Sequence, residues 1–201
     1  TIFFTFQIYC DFSAYSDIAI GSAKIMGFDL MQNFNRPYFA QNITEFWRKW
    51  HISLSTWFRD YLYIPLGGNR VSYLTHLRNI FIVFTVSGLW HGASWNFIIW
   101  GALHGMGLIL EQLLKPIKQT VNGRFNINTA NYGYKLIYII ITFSFVSLAW
   151  VFFRSDTIAN AYLTIGRIFG YTPSQEAYIG ITKLEKSNPT DVSLNYFNNY
   201  S

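Results

Sequence analysis

The stretch that decides the fold runs from Asn79 to Leu110 and reads NIFIVFTVSGLWHGASWNFIIWGALHGMGLIL. It contains no Asp, Glu, Lys or Arg. One straight helix of this length would extend about 48 Å at about 1.5 Å per residue, whereas the hydrocarbon core of a bilayer is about 30 Å thick. We therefore predict two helices or half-helices that meet at a break over residues 87–94, with His91 at the junction. Such breaks occur inside a membrane where the backbone lines a cavity.

The composition of the whole chain also indicates a membrane protein. Of its 201 residues, 51% are apolar, 20% are aromatic and 12% are charged, whereas about a quarter of an average soluble domain is charged. This excludes a disordered segment and disfavours an ordinary cytosolic domain. The net charge is +5, yet the chain has no block of Lys and Arg. We therefore expect contact with membrane lipid and no nucleic-acid partner.

Further apolar segments lie on both sides of this stretch. Residues 1–27 are mostly apolar but contain Asp11, Tyr15 and Asp17. Because a carboxylate facing lipid costs several kcal/mol, this helix should line a bundle interior or a wet cavity. Helix capping or pairing with a neighbouring helix would account for the two acids equally well. Residues 136–153 are uncharged and reach the minimum length for a membrane span.

The remaining segments predict shorter elements. Residues 44–64 mix aromatic and charged side chains, which is too polar for a span, and predict one or two amphipathic helices at the membrane surface or within the bundle. Asn42 or Thr44 can cap the first of them. A short amphipathic helix is predicted over 156–170. Loops are predicted over 28–42, 115–134 and 171–201.

The basic residues between 44 and 78 predict the orientation of the chain. They outnumber the acidic residues of the same segment, so this segment should face the cytoplasm. The basic residues are Arg48, Lys49, Arg59, Arg70 and Arg78, and the acidic residues are Glu45 and Asp60.

His91 is the strongest candidate for chemistry among the four histidines. A neutral imidazole can take a proton from a hydroxyl because its unperturbed pKa lies near working pH. A hydrogen-bonded packing role is the competing interpretation. The neighbours of His91 would allow close backbone approach and form an aromatic wall: Trp90, Gly92, Ser94 and Trp95.

The other histidines do not point to a metal site. No two histidines are four residues apart and there is no HExxH motif, so we predict no metal. The chain also lacks the GxSxG motif of a serine hydrolase. His76 is expected at an interface, and His104 should point to a different helix face from His91. His51 could anchor an interfacial aromatic helix or help to orient a substrate.

Five motifs together resemble the membrane-bound O-acyltransferase family, and specifically its bacterial branch of the alginate O-acetyltransferase type. They occur in this order: QIYCDFSAYSD at 7–17, NRPY at 35–38, FWRKWHISLS at 46–55, RDYLYIPLGGN at 59–69 and GLWHGASW at 88–95. The resemblance covers residues 1–155. It implies an all-α polytopic transmembrane helix bundle, with amphipathic or re-entrant helices around a central tunnel. Residues 1–201 would then be part of one membrane domain that is truncated at both ends.

The resemblance also implies an activity and a site. His91 matches the active-site histidine of the family, and His51 matches a second histidine of the bacterial branch. Both would lie along a tunnel that Asp11, Tyr15, Asp17, Trp90, Ser94 and Trp95 are expected to line.

The expected reaction transfers an acetyl group to hydroxyls of an extracytoplasmic polysaccharide such as alginate. The acyl donor would be a thioester substrate, acetyl-CoA or a carrier-linked acyl group, and no cofactor is expected to be bound. A periplasmic or extracellular acyltransferase partner and a multi-pass location in the bacterial inner membrane follow from the same resemblance. The alternatives are D-alanyl transfer to teichoic acid by the same fold and a non-enzymatic transporter or scaffold.

Overall fold

The computed structural model describes residues 1–171, and within them every regular element is helical. Two tight turns accompany the helices, a 3₁₀ turn at Pro37–Phe39 and a π-type turn at Arg59–Tyr63. The predicted loop over 171–201 falls outside the described residues except for Tyr171. The helices are α1 (Ile2–Ile25), α2 (Ile43–Lys49), α3 (Ile52–Phe58), α4 (Tyr73–His91), α5 (Trp95–Arg124), α6 (Tyr132–Arg154) and α7 (Ile158–Ile168).

The predicted break in the long apolar stretch is present. Helix α4 ends at His91 and α5 begins at Trp95, with Ser94 capping α5 by accepting a hydrogen bond from the backbone N–H of Asn96 at 3.3 Å. The two helices pack as a close hairpin. A Cβ atom added at Gly88 would collide with the carbonyl oxygen of Phe97 on the facing helix. Glycine therefore permits a backbone approach that a larger residue would prevent.

Helix α5 extends further than the sequence predicts. The prediction of a loop over 115–134 is wrong for residues 115–124, because α5 continues through Pro116 to Arg124. Contacts with α6 hold this extension: Asn122 donates to the Tyr134 hydroxyl at 2.9 Å, and the Lys118 ammonium lies 3.5 Å from the centre of the Tyr138 ring. Proline removes a backbone hydrogen bond from a helix, and here these tertiary contacts outweigh that local cost.

Two helices, α5 and α6, are long and apolar enough to cross a membrane. The predicted span over 136–153 lies within α6. Trp100 of α5 stacks on Trp150 of α6, with ring centres 5.4 Å apart, and both side chains are almost fully buried. Helix α1 joins this pair through a buried hydrogen bond from the Thr5 hydroxyl to the Ser147 hydroxyl, at 3.1 Å.

The aromatic segment over 44–64 forms two short helices and a turn, and the large side chains of its first helix lie inside the core, whereas Trp57 and Tyr61 are exposed. Phe46, Trp47 and Trp50 are all buried. Of the two predicted capping residues, Asn42 caps α2: its side-chain oxygen accepts a hydrogen bond from the Glu45 N–H at 2.7 Å. The Glu111 carboxylate of α5 accepts from two further N–H groups at the start of α2, those of Ile43 and Thr44. This carboxylate therefore fixes α2 against α5.

The short amphipathic helix predicted over 156–170 is also present, as α7. Thr157 caps it by accepting a hydrogen bond from the Asn160 N–H at 3.2 Å. Its buried residues include Ala161 and Leu163, and α7 packs on α6.

Candidate active site

His51 lies at the sharp junction between α2 and α3. Its backbone is left-handed, with φ 45° and ψ 56°, a conformation that costs a non-glycine residue about 1–3 kcal/mol and tends to occur at functional sites. The loop before α2 stabilises this junction. Asn33 accepts from the Ser53 hydroxyl at 2.6 Å and from the Ser53 N–H at 3.2 Å, while its carbonyl accepts from the Ile52 N–H at 3.1 Å. The half-buried imidazole stands perpendicular to the Phe12 ring, 4.6 Å from it.

His91 is the last residue of α4, and aromatic rings hold its side chain. The centres of the Trp90, Trp100 and Phe153 rings lie 5.1, 5.2 and 5.3 Å from the imidazole, each close to perpendicular. Within residues 1–171, neither ring nitrogen of His91 has a hydrogen-bond partner. Gly92 leaves room for a fourth ring, that of Phe97 at 6.4 Å from the imidazole, because a Cβ atom at Gly92 would come within 2.7 Å of it.

The fold brings His51 and His91 close enough to interact electrostatically. Burial, and then the positive charge of a protonated His91, lowers the pKa of the His51 imidazole to about 4. His51 therefore stays neutral at neutral pH and can accept a proton or a hydrogen bond. The two histidines are forty positions apart in the sequence, which gives no local reason for this proximity.

An open cavity of about 510 Å³ lies between α1 and the end of α6, and one aromatic ring of its wall contacts each of the two histidines, neither of which lines it. Its wall includes Phe12, which contacts His51, and Phe153, which contacts His91. A carboxylate, a phenol and a guanidinium accompany these rings. The lining residues are Phe4, Ile8, Asp11, Phe12, Tyr15, Phe153 and Arg154.

The other sequence-predicted site residues are divided among different places. Asp11 and Tyr15 line the cavity, whereas Asp17 is exposed and does not. Trp90 contacts His91 but is 59% exposed, and Trp95 is 57% exposed. Ser94 caps α5, as described above. Of these residues, Trp90 contacts His91, and Asp11 and Tyr15 line the cavity, while all five of Asp11, Tyr15, Asp17, Trp90 and Trp95 are exposed.

Several residues of this site are not singled out by the sequence patterns. Phe12, Phe153 and Arg154 line the cavity, and Trp100 forms the wall behind His91. Of these, Arg154 follows the apolar span directly, and Phe12 lies within the motif at 7–17. Aromatic residues are so frequent in this chain that their type alone does not identify the ones beside the histidines.

His104 lies behind the wall formed by Trp100. Its ring is fully buried, 5.2 Å from the Trp100 ring, and its Nδ1 accepts a hydrogen bond from the Trp47 indole N–H at 3.3 Å. His104 therefore packs in the core, with Trp100 between it and His91. Among residues 1–171, no group of three or more His, Cys, Asp or Glu side chains is arranged to hold a metal ion.

Comparison with known proteins places this site in a family. Residues 1–152 match the model of MBOAT, the membrane-bound O-acyltransferase family. A probable alginate O-acetylase AlgI of Pseudomonas syringae pv. tomato is 48% identical over 168 residues, which is 84% of this chain and 30% of the relative.

Relatives with other acceptors match the same region. A peptidoglycan O-acetyltransferase of Helicobacter pylori is 44% identical over 167 residues, 83% of this chain and 30% of the relative. A teichoic acid D-alanyltransferase of Streptococcus thermophilus is 30% identical over 164 residues, 74% of this chain and 39% of the relative. The chain thus spans about a third of the length of the curated relatives it matches.

Proposed function

This chain belongs to the membrane-bound O-acyltransferase family, and from that premise we propose that it forms the catalytic segment of an enzyme that acetylates hydroxyl groups of a polysaccharide outside the cytoplasm. The observation that carries the proposal is the position of His91, at a helix break near His51 and in contact with Phe153 of the cavity wall. Its ring nitrogens have no hydrogen-bond partner within residues 1–171, so they are available to a substrate.

In the proposed reaction, His91 acts as the general base. Its neutral imidazole takes the proton of the acceptor hydroxyl while the hydroxyl oxygen attacks the thioester carbonyl carbon of the donor. A carbon–oxygen bond forms, the carbon–sulfur bond breaks, and the imidazolium returns its proton to the departing thiolate. The products are an ester and a free thiol. The perpendicular rings of Trp100 and Phe153 hold the imidazole in one orientation during both proton transfers.

His51 is proposed to orient the donor or the acceptor on the same reaction path. Its neutral imidazole contacts Phe12, and the charge of His91 affects its pKa, so both histidines serve one site. Asp11 and Tyr15 supply polar groups in the cavity through which a sugar hydroxyl would approach. Carboxylates and phenols are suitable partners for sugar hydroxyls because they accept hydrogen bonds from them.

The membrane setting of the whole protein is part of the proposal. In the full-length protein, helices beyond this segment would complete a polytopic bundle around a tunnel in the bacterial inner membrane. The donor, acetyl-CoA or a carrier-linked thioester, would enter from the cytoplasm, and the polysaccharide and a periplasmic or extracellular acyltransferase partner would lie on the opposite side. Labelling Asn69→Cys from the cytoplasmic side, in a Cys10→Ser background, tests this orientation. Labelling only from outside would show that this segment faces the opposite side of the membrane.

The direct test is acetylation of the polymer in cells that carry the full-length His91→Ala protein at normal membrane abundance. We expect acetylation to be lost, and unchanged acetylation would remove the assignment of His91.

Mass spectrometry of the polymer distinguishes acetyl esters from D-alanyl esters. D-alanyl transfer is the alternative raised by the 30% identical teichoic acid D-alanyltransferase. Reconstitution of the full-length protein with an acyl donor tests the non-enzymatic alternative, since solute flux without acyl transfer would indicate a transporter.

A further inference from the structure

A second cavity lies away from the histidines, between the two helices that are long enough to cross a membrane. It has a volume of about 470 Å³ and lies between one face of α5 and one face of α6. Its middle is apolar and open to the surroundings: the side chains of Leu114, Ile117 and Ile141 are 46%, 58% and 57% exposed. We call this cavity the α5–α6 groove.

One end of the α5–α6 groove is basic. Lys115 and Lys118 both line it, and the Lys118 ammonium lies over the Tyr138 ring, which also lines the groove. Arg124 and Lys135 follow at the same end of the two helices, so residues 111–135 contain four basic side chains and a single acid, Glu111. The Glu111 carboxylate already accepts hydrogen bonds from Ile43 and Thr44. No salt bridge to Lys115 or Lys118 occurs among the described residues, 1–171.

The part of the α5–α6 groove below the lysines corresponds in length to one leaflet of a membrane. The lining residues of α5 run from Gly107 to Asn122, a rise of about 22 Å, and the part from Gly107 to Lys118 rises about 16 Å, at about 1.5 Å per residue. Half of a bilayer core of about 30 Å is about 15 Å. The groove therefore has a cationic end at the depth of the headgroups and, along Leu114, Ile117 and Ile141, an apolar stretch at the depth of the acyl chains, and its wall also includes Gln41, Asn42, Glu111 and Thr142.

We propose that the α5–α6 groove is a binding site for an anionic phospholipid of the cytoplasmic leaflet, with its phosphate near Lys115 and Lys118 and an acyl chain along Leu114, Ile117 and Ile141. Charge complementarity selects this occupant. Basic pockets between membrane helices on the cytoplasmic side attract anionic headgroups. The excess of basic residues at this end also assigns it to the cytoplasmic side.

The first test compares two lipids on the full-length protein. The protein is placed in nanodiscs with equal amounts of phosphatidylglycerol and phosphatidylethanolamine, and the lipids that stay bound after extraction are counted by mass spectrometry. We expect phosphatidylglycerol to be enriched over phosphatidylethanolamine. In the double variant Lys115→Gln/Lys118→Gln, the ratio of the two bound lipids should fall about tenfold. Lys24→Gln, an exposed lysine at the end of α1, is the matched control and should leave it unchanged. Equal retention of the two lipids, or an unaffected double variant, overturns the proposal.

The second test identifies what lies in the groove without depending on the lysine variants. A photoreactive benzophenone amino acid replaces Ile141 in the full-length protein, in native membranes. A crosslink to phospholipid supports the proposal, and one to another segment of the protein overturns it, because the groove is then covered by the rest of the chain. Inorganic phosphate at millimolar concentration, added before irradiation, should not displace the lipid and so should leave the yield of the lipid crosslink unchanged. Displacement would show that the lysines bind a free phosphate instead.

Discussion

The two ends of helix α4 each contain a histidine, and the two side chains are held in opposite ways. Near the start of α4, the His76 ring uses both nitrogens: Nε2 donates to the Gln112 side-chain oxygen at 3.1 Å, which leaves Nδ1 of the neutral ring to accept from the Tyr63 hydroxyl at 2.8 Å. At the other end, His91 is held by aromatic rings alone.

This difference separates a structural histidine from one available for chemistry. The hydrogen bonds of His76 tie the turn at Arg59–Tyr63 to α4 and α5, so its nitrogens are committed to the fold. The aromatic packing of His91 fixes the plane of the ring and leaves its nitrogens without a partner within residues 1–171. Replacing His76 should therefore reduce stability, whereas replacing His91 should reduce the rate of reaction.

The largest effect is expected at His91. In full-length protein, His91→Ala should lower acyl transfer per folded molecule by about 10²–10⁴-fold, because a positioned general base contributes about that much. The measurement is the rate of ester formation divided by the amount of folded protein in the membrane. His76→Ala is the matched control and should keep most of its rate per folded molecule. If His91→Ala keeps the rate of the parent protein, His91 is not the general base and the distinction from His76 fails.

The next effect concerns whether His51 and His91 act as a unit. We expect His51→Gln to lower the rate per folded molecule by about tenfold or more, and the double variant with His91→Ala to be little worse than His91→Ala alone. Residues that serve one step are non-additive in this way. If the fold reduction in the double variant equals the product of the two single reductions, the two histidines have independent roles. A near-normal rate for His51→Gln would remove His51 from the site.

A smaller effect is expected on stability at His76. His76→Leu should reduce the free energy of unfolding by about 1–3 kcal/mol, because Tyr63 and Gln112 each lose a hydrogen-bond partner. The thermal unfolding midpoint of the detergent-solubilised full-length protein reports this change. His91→Leu is the comparison variant and should shift the midpoint less. If His91→Leu proves the more destabilising of the two, His91 has the structural role assigned here to His76.

The smallest expected effect is the pH dependence that comes from His51. Burial, followed by the charge of His91, lowers its pKa to about 4, so its neutral form persists well below the ordinary value. The ratio of the rates of the parent and the His51→Gln protein should therefore stay constant from pH 7.5 to about 5.5 and fall only as the pH approaches about 4. A ratio that falls with a midpoint near pH 6.5 would mean that His51 titrates as an exposed histidine.

Local features were predictable wherever the signal was also local. The break over 87–94, the Asn42 cap and the short helix over 156–170 follow from glycines, capping residues and periodicity within a few residues of each other. The end of α5 was not predictable in this way. Pro116 and the polar residues after it indicate a loop, but the hydrogen bond from Asn122 to Tyr134 and the contact of Lys118 with Tyr138 continue the helix.

By itself, the sequence determined that this chain is helical and apolar, that its longest apolar stretch breaks beside His91, and which family it resembles. Only the tertiary structure decided which of its many aromatic residues surround that histidine, that His51 lies near His91, and that His76 is committed to hydrogen bonds. The physical reason is that periodicity and capping report interactions within a turn or two of helix. The contacts of Phe12 with His51 and of Phe153 with His91 join segments that are distant in the chain, and packing alone selects them.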